Sequence, residues 1–158
     1  MPEPVIQRFH RTPRAVPEAR LFVQQTLAAW GISGDADAVL LCVSELATNA
    51  IRHGVPAGGH FIVKVARNDD CLRVEVGDMN RCRPRLRHPS ADDVSGRGLL
   101  LIANLADSWG VVPRAPSGKV VWTEFKIPGV HPGRVLLRRT RTDHLYRRHA
   151  TKPGEAPA

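Results

Sequence analysis

Long hydrophobic runs are missing from this chain of 158 residues. The longest, such as Leu99 to Ala103, are far too short to span a bilayer. The opening Met1-Pro2-Glu3-Pro4 has no basic segment leading into an apolar one, so no secretory signal is expected. Cysteine is scarce: Cys42, Cys71 and Cys82 are odd in number and lack the spacing of a metal site. Free thiols in reducing cytoplasm are the expectation, and hence a cytoplasmic protein without a membrane partner. Lysine is scarce as well, four against nineteen arginines, and no internal repeat is visible. What remains, at 42% hydrophobic content, is the composition of one globular domain with a real core.

The formal charge of +8 would ordinarily suggest nucleic acid, but its distribution weakens that reading. Residues 129–158 hold seven Arg/Lys against Asp143 and Glu155, a net of +5, which leaves +3 for the other 128 residues. That tail has one aromatic, Tyr146, and so no stacking platform for bases. Direct nucleic-acid binding is not expected. Residues 1–128 are read as the folded domain and 129–158 as a basic, flexible tail.

Along the domain, residues 5–11 suit a first strand broken by Thr12-Pro13. Pro17 suits the first turn of a helix running to about Trp30 and closed by Gly31, with apolar positions Leu21, Phe22, Leu27 and Ala28. A second helix opens with Asp35 and Asp37, carboxylates placed for the positive end of its dipole. Val39, Leu40, Val43, Leu46, Ala47 and Ala50 form its apolar face, and Gly54 ends it before the turn Pro56-Ala57-Gly58-Gly59. Alternating runs at 60–67 and 71–77 read as an antiparallel hairpin. Residues 79–95 are polar, contain proline and have no period, as in a long lid or binding loop. Gly96-Arg97-Gly98 then leads into a helical stretch, 99–106, and strands follow near 108–113 and 119–127. The order β-α-α-β-β-lid-α-β-β predicts a two-layer α/β sandwich: a mixed, mostly antiparallel sheet with helices on one face.

Three constellations carry chemistry. Glu45, Asn49 and His53 stand at steps of four, so on a helix they share one stripe at the border of the apolar face. A carboxylate base one turn from an oxygen ligand could activate a nucleophile beside a hard cation, although a helix border that simply meets water has the same look. Asn49 leans toward function, because asparagine in a helix interior competes for backbone bonds. Asp78 ends a strand, where its carboxylate could accept a bond from an exocyclic amine; a turn aspartate is the plainer alternative. Gly96-Arg97-Gly98, opening a helix, could bring N–H groups and the helix dipole to an anion, as Arg97 could bring charge, although a tight turn explains the glycines equally.

Taken in this order, these elements resemble the GHKL (Bergerat-fold) ATPase superfamily, specifically its branch of anti-sigma-factor-type serine/threonine kinases. Glu45-x-x-x-Asn49-Ala50-x-x-His53 is similar to the N box, Asp78 to the start of the first glycine box, and Gly96-Arg97-Gly98-Leu99 to the second. Ala106-Asp107-Ser108-Trp109-Gly110 and Gly118-Lys119-Val120-Val121-Trp122 also look like this branch, and the resemblance spans about residues 10–127. It implies ATP and Mg²⁺ as ligands, Glu45 as general base and Asn49 as magnesium ligand. By the same resemblance Asp78 would hold the adenine amino group, and Gly96, Arg97, Gly98 and Leu99 would line the phosphates. His53 matches the family position for nucleotide contact and suits helix-end packing equally.

The implied partners are a sigma factor and an anti-sigma-factor antagonist phosphorylated on serine or threonine, and a homodimer is compatible with the branch. The chain departs from the pattern after Asp78: Met79, Asn80, Arg81 and Cys82 stand where the first box usually carries two glycines. Arg81, Arg83, Arg85 and Arg87 follow at every second residue, a run that could meet phosphates or an acidic partner but more simply faces solvent. A nonenzymatic nucleotide-sensing module is the alternative function. Every motif and core-forming period lies before Pro128, so deleting residues 129–158 should leave a cooperative thermal melt within a few degrees of the full chain. Loss of that transition would move the domain boundary.

Overall fold

Period-two alternation builds a single sheet. The computed structural model describes residues 1–68, 70–78, 96–114 and 118–127. The segment 79–95 and the tail from 128 onward, for which a lid and a flexible extension are expected, lie outside them. The strands are β1 (Val5–His10), β2 (His60–Arg67), β3 (Cys71–Asp78), β4 (Ser108–Pro113) and β5 (Lys119–Lys126). They lie in the order β1-β2-β3-β5-β4, and all four pairings are antiparallel, where a mixed sheet was expected. Val63, Val65, Val74, Val76, Val121 and Phe125 therefore point to one face and are buried.

Helices α1 (Ala15–Ala29), α2 (Ala36–Asn49) and α3 (Gly96–Leu105) complete the fold. The buried stripe of α1 is Ala15, Ala19, Val23, Thr26 and Leu27, a row at helical spacing. The sequence reading had put Leu21 and Ala28 on the apolar face, but Leu21 is 53% exposed and Ala28 also faces solvent. Leu21 stands two residues from both Ala19 and Val23, about 160° around the helix from each, so burying that row turns Leu21 outward. On α2 the expected face is found: Val39, Leu40, Val43, Leu46 and Ala47 are buried, joined by Cys42.

Phe9 stacks on Phe61 with ring centroids 5.5 Å apart and tilts against Phe22 at 5.9 Å, joining β1, β2 and α1. Thr123 is fully buried, and its hydroxyl lies 3.5 Å from the Val74 carbonyl oxygen. Burial raises the thiol pKa of both Cys42 and Cys71 to about 11, with Glu45 adding to the effect at Cys42 and Glu124 at Cys71, so both are protonated at neutral pH.

The other face of the sheet carries a packed polar cluster. Arg73 donates to Glu75 at 2.8 Å and to Glu124 at 2.9 Å, and its guanidinium lies 4.3 Å from the centroid of the Trp122 ring. Ser108 donates to the other Glu124 oxygen at 2.8 Å. Trp122 lies flat over Gly110, where an added Cβ would sit 2.6 Å from the ring. With Arg73 on the indole, the ring has little room to give. Gly110→Ala should therefore destabilise the fold by about 1–3 kcal/mol, the usual range for overpacking. Urea denaturation monitored by Trp fluorescence checks this.

Candidate functional site

The second helix does not run unbroken to Gly54, as its sequence period suggested. It is α-helical to Asn49 and continues as a π-helical turn, Ala50–Gly54, in which the Val55 N–H donates to the Ala50 carbonyl at 2.8 Å. Glu45 and Asn49 remain one turn apart on the α-helical segment, both half-buried. His53 lies beyond the change of pitch and is exposed, so the expected three-residue stripe ends at Asn49. An extra residue in the turn rotates everything after it away from its α-helical position.

One atom of the Asn49 side-chain amide, Nδ2, is buried and has no hydrogen-bond partner. An unmet buried polar group typically costs about 1–3 kcal/mol. The two ends of a carboxamide have the same shape, so a half-turn of the side chain presents either its oxygen or its nitrogen at that point. The donor set suits a cation that brings its own ligands: magnesium usually takes one or two protein oxygens and completes its shell with water and phosphate. Among the described residues no group of three His, Cys, Asp or Glu side chains is placed to hold a metal.

Asp78 is the last residue of β3, paired across the ladder with Phe61. Both α2 and the π turn pack against β3. A Cβ on Gly54 would lie 3.1 Å from Asp78 Oδ2, and one on Gly118 would lie 2.8 Å from the Asp78 carbonyl oxygen. The end of the π turn and the start of β5 thus close on Asp78 from two sides, each through a residue without a side chain. Arg114 reaches the same corner, with Nη1 3.6 Å from where a Cβ on Gly77 would be. From the sequence Gly54 reads as a helix end and Gly118 only as the start of a motif-like run. Their spatial role becomes visible only when β5 is set beside β3, and the one available signal was glycine itself at both breaks.

The glycines of the Gly96-Arg97-Gly98 motif also differ from expectation. They were expected to precede the helix as a loop, but α3 begins at Gly96 and they form its first turn, with Gly98 buried. First-turn N–H groups have no partner within the helix and carry the positive end of its dipole, so this placement exposes more donors to an anion than a preceding loop would. α3, which carries Gly96 to Leu99, packs against α2. α2, which carries Glu45 and Asn49, packs against both β3, which ends in Asp78, and α3, whereas His53 is exposed beyond the end of α2.

A nucleotide-binding class of α/β sandwich is what this sheet, these helices and this motif order define. The sequence profile of the histidine kinase-like ATPase domain matches residues 9–125, and the chain belongs to that family. Its fold is similar to that of the RsbU and RsbW domains of Rv1364c from Mycobacterium tuberculosis, with a TM-score of 0.61 at 19% identity. The match covers 85% of this chain and 35% of that one, so the present chain corresponds to about a third of its structural neighbour. No curated protein matches. Among the described residues no helix is long and apolar enough to cross a membrane.

Gly118 has a φ of +107°, a conformation that side chains beyond glycine resist, and it abuts the Asp78 backbone. Gly118→Ala should lower the melting temperature and shift the backbone amide resonances of Gly77 and Asp78. Unchanged resonances there would mean that the turn does not brace this corner.

Proposed function

We propose that this chain binds ATP with magnesium at the corner formed by α2, the end of β3 and the start of α3, and that it is an anti-sigma factor and serine/threonine protein kinase. The unpartnered buried amide of Asn49, one helical turn from the Glu45 carboxylate, is the observation that carries this reading. Family membership supports nucleotide binding, and the fold shared with an RsbW-containing protein supports a regulator of the anti-sigma type.

In this reading Asp78 accepts a hydrogen bond from the adenine amino group, and the spare N–H groups of Gly96, Arg97 and Gly98 face the phosphates. The Arg97 guanidinium adds charge, and Leu99 continues the same wall. Asn49 holds magnesium through its side-chain oxygen; when bound, the metal neutralises charge on the phosphates. Glu45 takes the proton from the attacking serine or threonine hydroxyl, the role a kinase assigns to a carboxylate beside its transferring phosphoryl group. His53, exposed and past the change of pitch, contributes at most an outer contact. The partners are a sigma factor, which the protein sequesters, and the antagonist that it phosphorylates, in the cytoplasm; a homodimer is compatible with this reading.

A nonenzymatic nucleotide sensor is the second reading, favoured by one specific feature. The residues after Asp78 lack the two glycines that loosen the backbone at the base pocket in the resembled family. Isothermal titration with ATP, with and without magnesium, tests the common part of both readings: binding should strengthen with the metal. Asp78→Asn should weaken ATP by about 1–3 kcal/mol, since the replacement presents a weaker acceptor and a mispaired amide. Glu45→Ala separates the two readings. If the chain is a kinase, the substitution should slow phosphoryl transfer by about 10²–10⁴ while leaving ATP affinity within a few-fold. Phosphorylation of the antagonist at the same rate by wild type and Glu45→Ala would exclude Glu45 as the base. Equal ATP affinity for wild type and Asp78→Asn would place the adenine elsewhere.

A further inference from the structure

Beside the C-terminal end of α2, the chain turns from β1 into α1 through residues 11–14. This corner is fixed by backbone bonds: Arg11 N–H donates to the Gly59 carbonyl at 3.0 Å, and Ala15 N–H to the Thr12 carbonyl at 3.1 Å. Beside it lies an open cleft of about 360 Å³ lined by Arg11, Pro13, Val16, Thr48, Ile51 and Arg52. Val16, Thr48 and Ile51 are half-buried and make its floor, whereas Arg11 and Arg52 are exposed at its rim. A neighbouring cleft, on the β1 side, carries Arg8, His10 and Arg14, with Glu18 as its one acid.

None of Arg8, Arg11, Arg14 and Arg52 is in an ion pair among the described residues, where the ion pairs are those of Lys64 and Arg73 on the opposite face of the sheet. Four unpaired guanidinium groups around two adjoining clefts produce a local positive field. The field is felt by His60, whose ring centroid is 6.2 Å from that of His10. Its pKa is held below the ordinary imidazole value, first by burial and then by the charges of Arg8 and His10, with Asp78 acting in the opposite direction. Farther along the same row of α2, two turns before Thr48, Leu41 is 39% exposed, with Ser44 between them accepting a hydrogen bond from Arg20 Nη1 at 2.8 Å.

We propose that the β1–α1 corner is a docking surface for an acidic amphipathic segment of a protein partner, which seats an apolar side chain against Val16 and Ile51 and its carboxylates on Arg11 and Arg52. The mixed character of the cleft selects this occupant. A nucleic acid would use the arginines but would leave the apolar floor unfilled, would meet Glu18, and would find no aromatic ring in the Arg11–Arg52 cleft on which to stack a base. A purely apolar segment would fill the floor and leave the guanidinium groups without partners. Arginine forks match carboxylates in two-point geometry, so flanking acids set the register of the docked segment. The surface is distinct from the nucleotide corner, and the proposal does not depend on ATP binding.

The test uses the full chain and a fluorescein-labelled synthetic helix of about 18 residues, with leucines at i, i+4 and i+7 flanked by glutamates. Anisotropy at low and physiological salt and ¹⁵N amide shifts are the readouts. Binding should weaken with salt and should shift the amides of Arg11, Val16 and Ile51. Arg11→Gln should reduce affinity several-fold and Arg11→Glu at least tenfold, with melting temperature and ATP titration unchanged. The proposal is overturned if the same peptide with glutamine for glutamate binds as well, if polyglutamate without leucine does, or if the shifts fall elsewhere. A duplex DNA of 18 base pairs that binds more tightly through the same amides would overturn it in favour of a nucleic-acid surface.

Discussion

The antiparallel sheet has one face that cannot meet water, and covering it is the constraint from which the rest of the molecule follows. Valines and phenylalanines at every second position of β2, β3 and β5 are buried on that face, which α1, α2 and α3 must cover. α2 takes the central share, with six buried residues along its length. Its position over the sheet then dictates where its polar border emerges. Glu45 and Asn49 come out half-buried, because the helix cannot turn further without exposing Val43 or Leu46.

Close approach at Asp78 is the second consequence. Three glycines, at 54, 77 and 118, surround the end of β3, and a Cβ on any of them would come within 3.3 Å of a neighbouring atom. Of these, Gly54 faces the Asp78 carboxylate and Gly118 its carbonyl oxygen, so backbone packs against both the side chain and the main chain of Asp78. The π turn contributes directly. By adding a residue to the turn it brings Gly54 against Asp78 and carries His53 out to solvent, an exchange that a continuous α-helix would not make.

α2 also divides the molecule into two surfaces. Thr48 and Asn49 are neighbours in sequence and about 100° apart around the helix, and Thr48 lines the basic cleft whereas Asn49 Nδ2 is buried. The face of the sheet away from the helices stands apart from both. Its cluster of Arg73, Glu75, Glu124 and Trp122 pairs its charges within itself.

Much of this was legible in the chain itself. Period-two runs, helical rows and breaks at Gly31, Gly58 and Gly118 follow from local sterics and from which residues avoid water, so element order, the hairpin and the buried face of α2 could be read directly. The spacing of Glu45 and Asn49, the strand-end position of Asp78 and the glycines at 96 and 98 were visible for the same reason, since each is a local pattern. Other features depended on residues far apart in sequence. Insertion of β5 between β3 and β4 brings Gly118 to Asp78, 40 positions away, and no periodicity encodes such a pairing. The π turn, the outward rotation of Leu21 and the start of α3 at Gly96 were also decided by packing. A local pattern defines which side of an element is apolar, but how closely that side approaches its neighbour depends on the shapes of both, and these meet only in the folded chain.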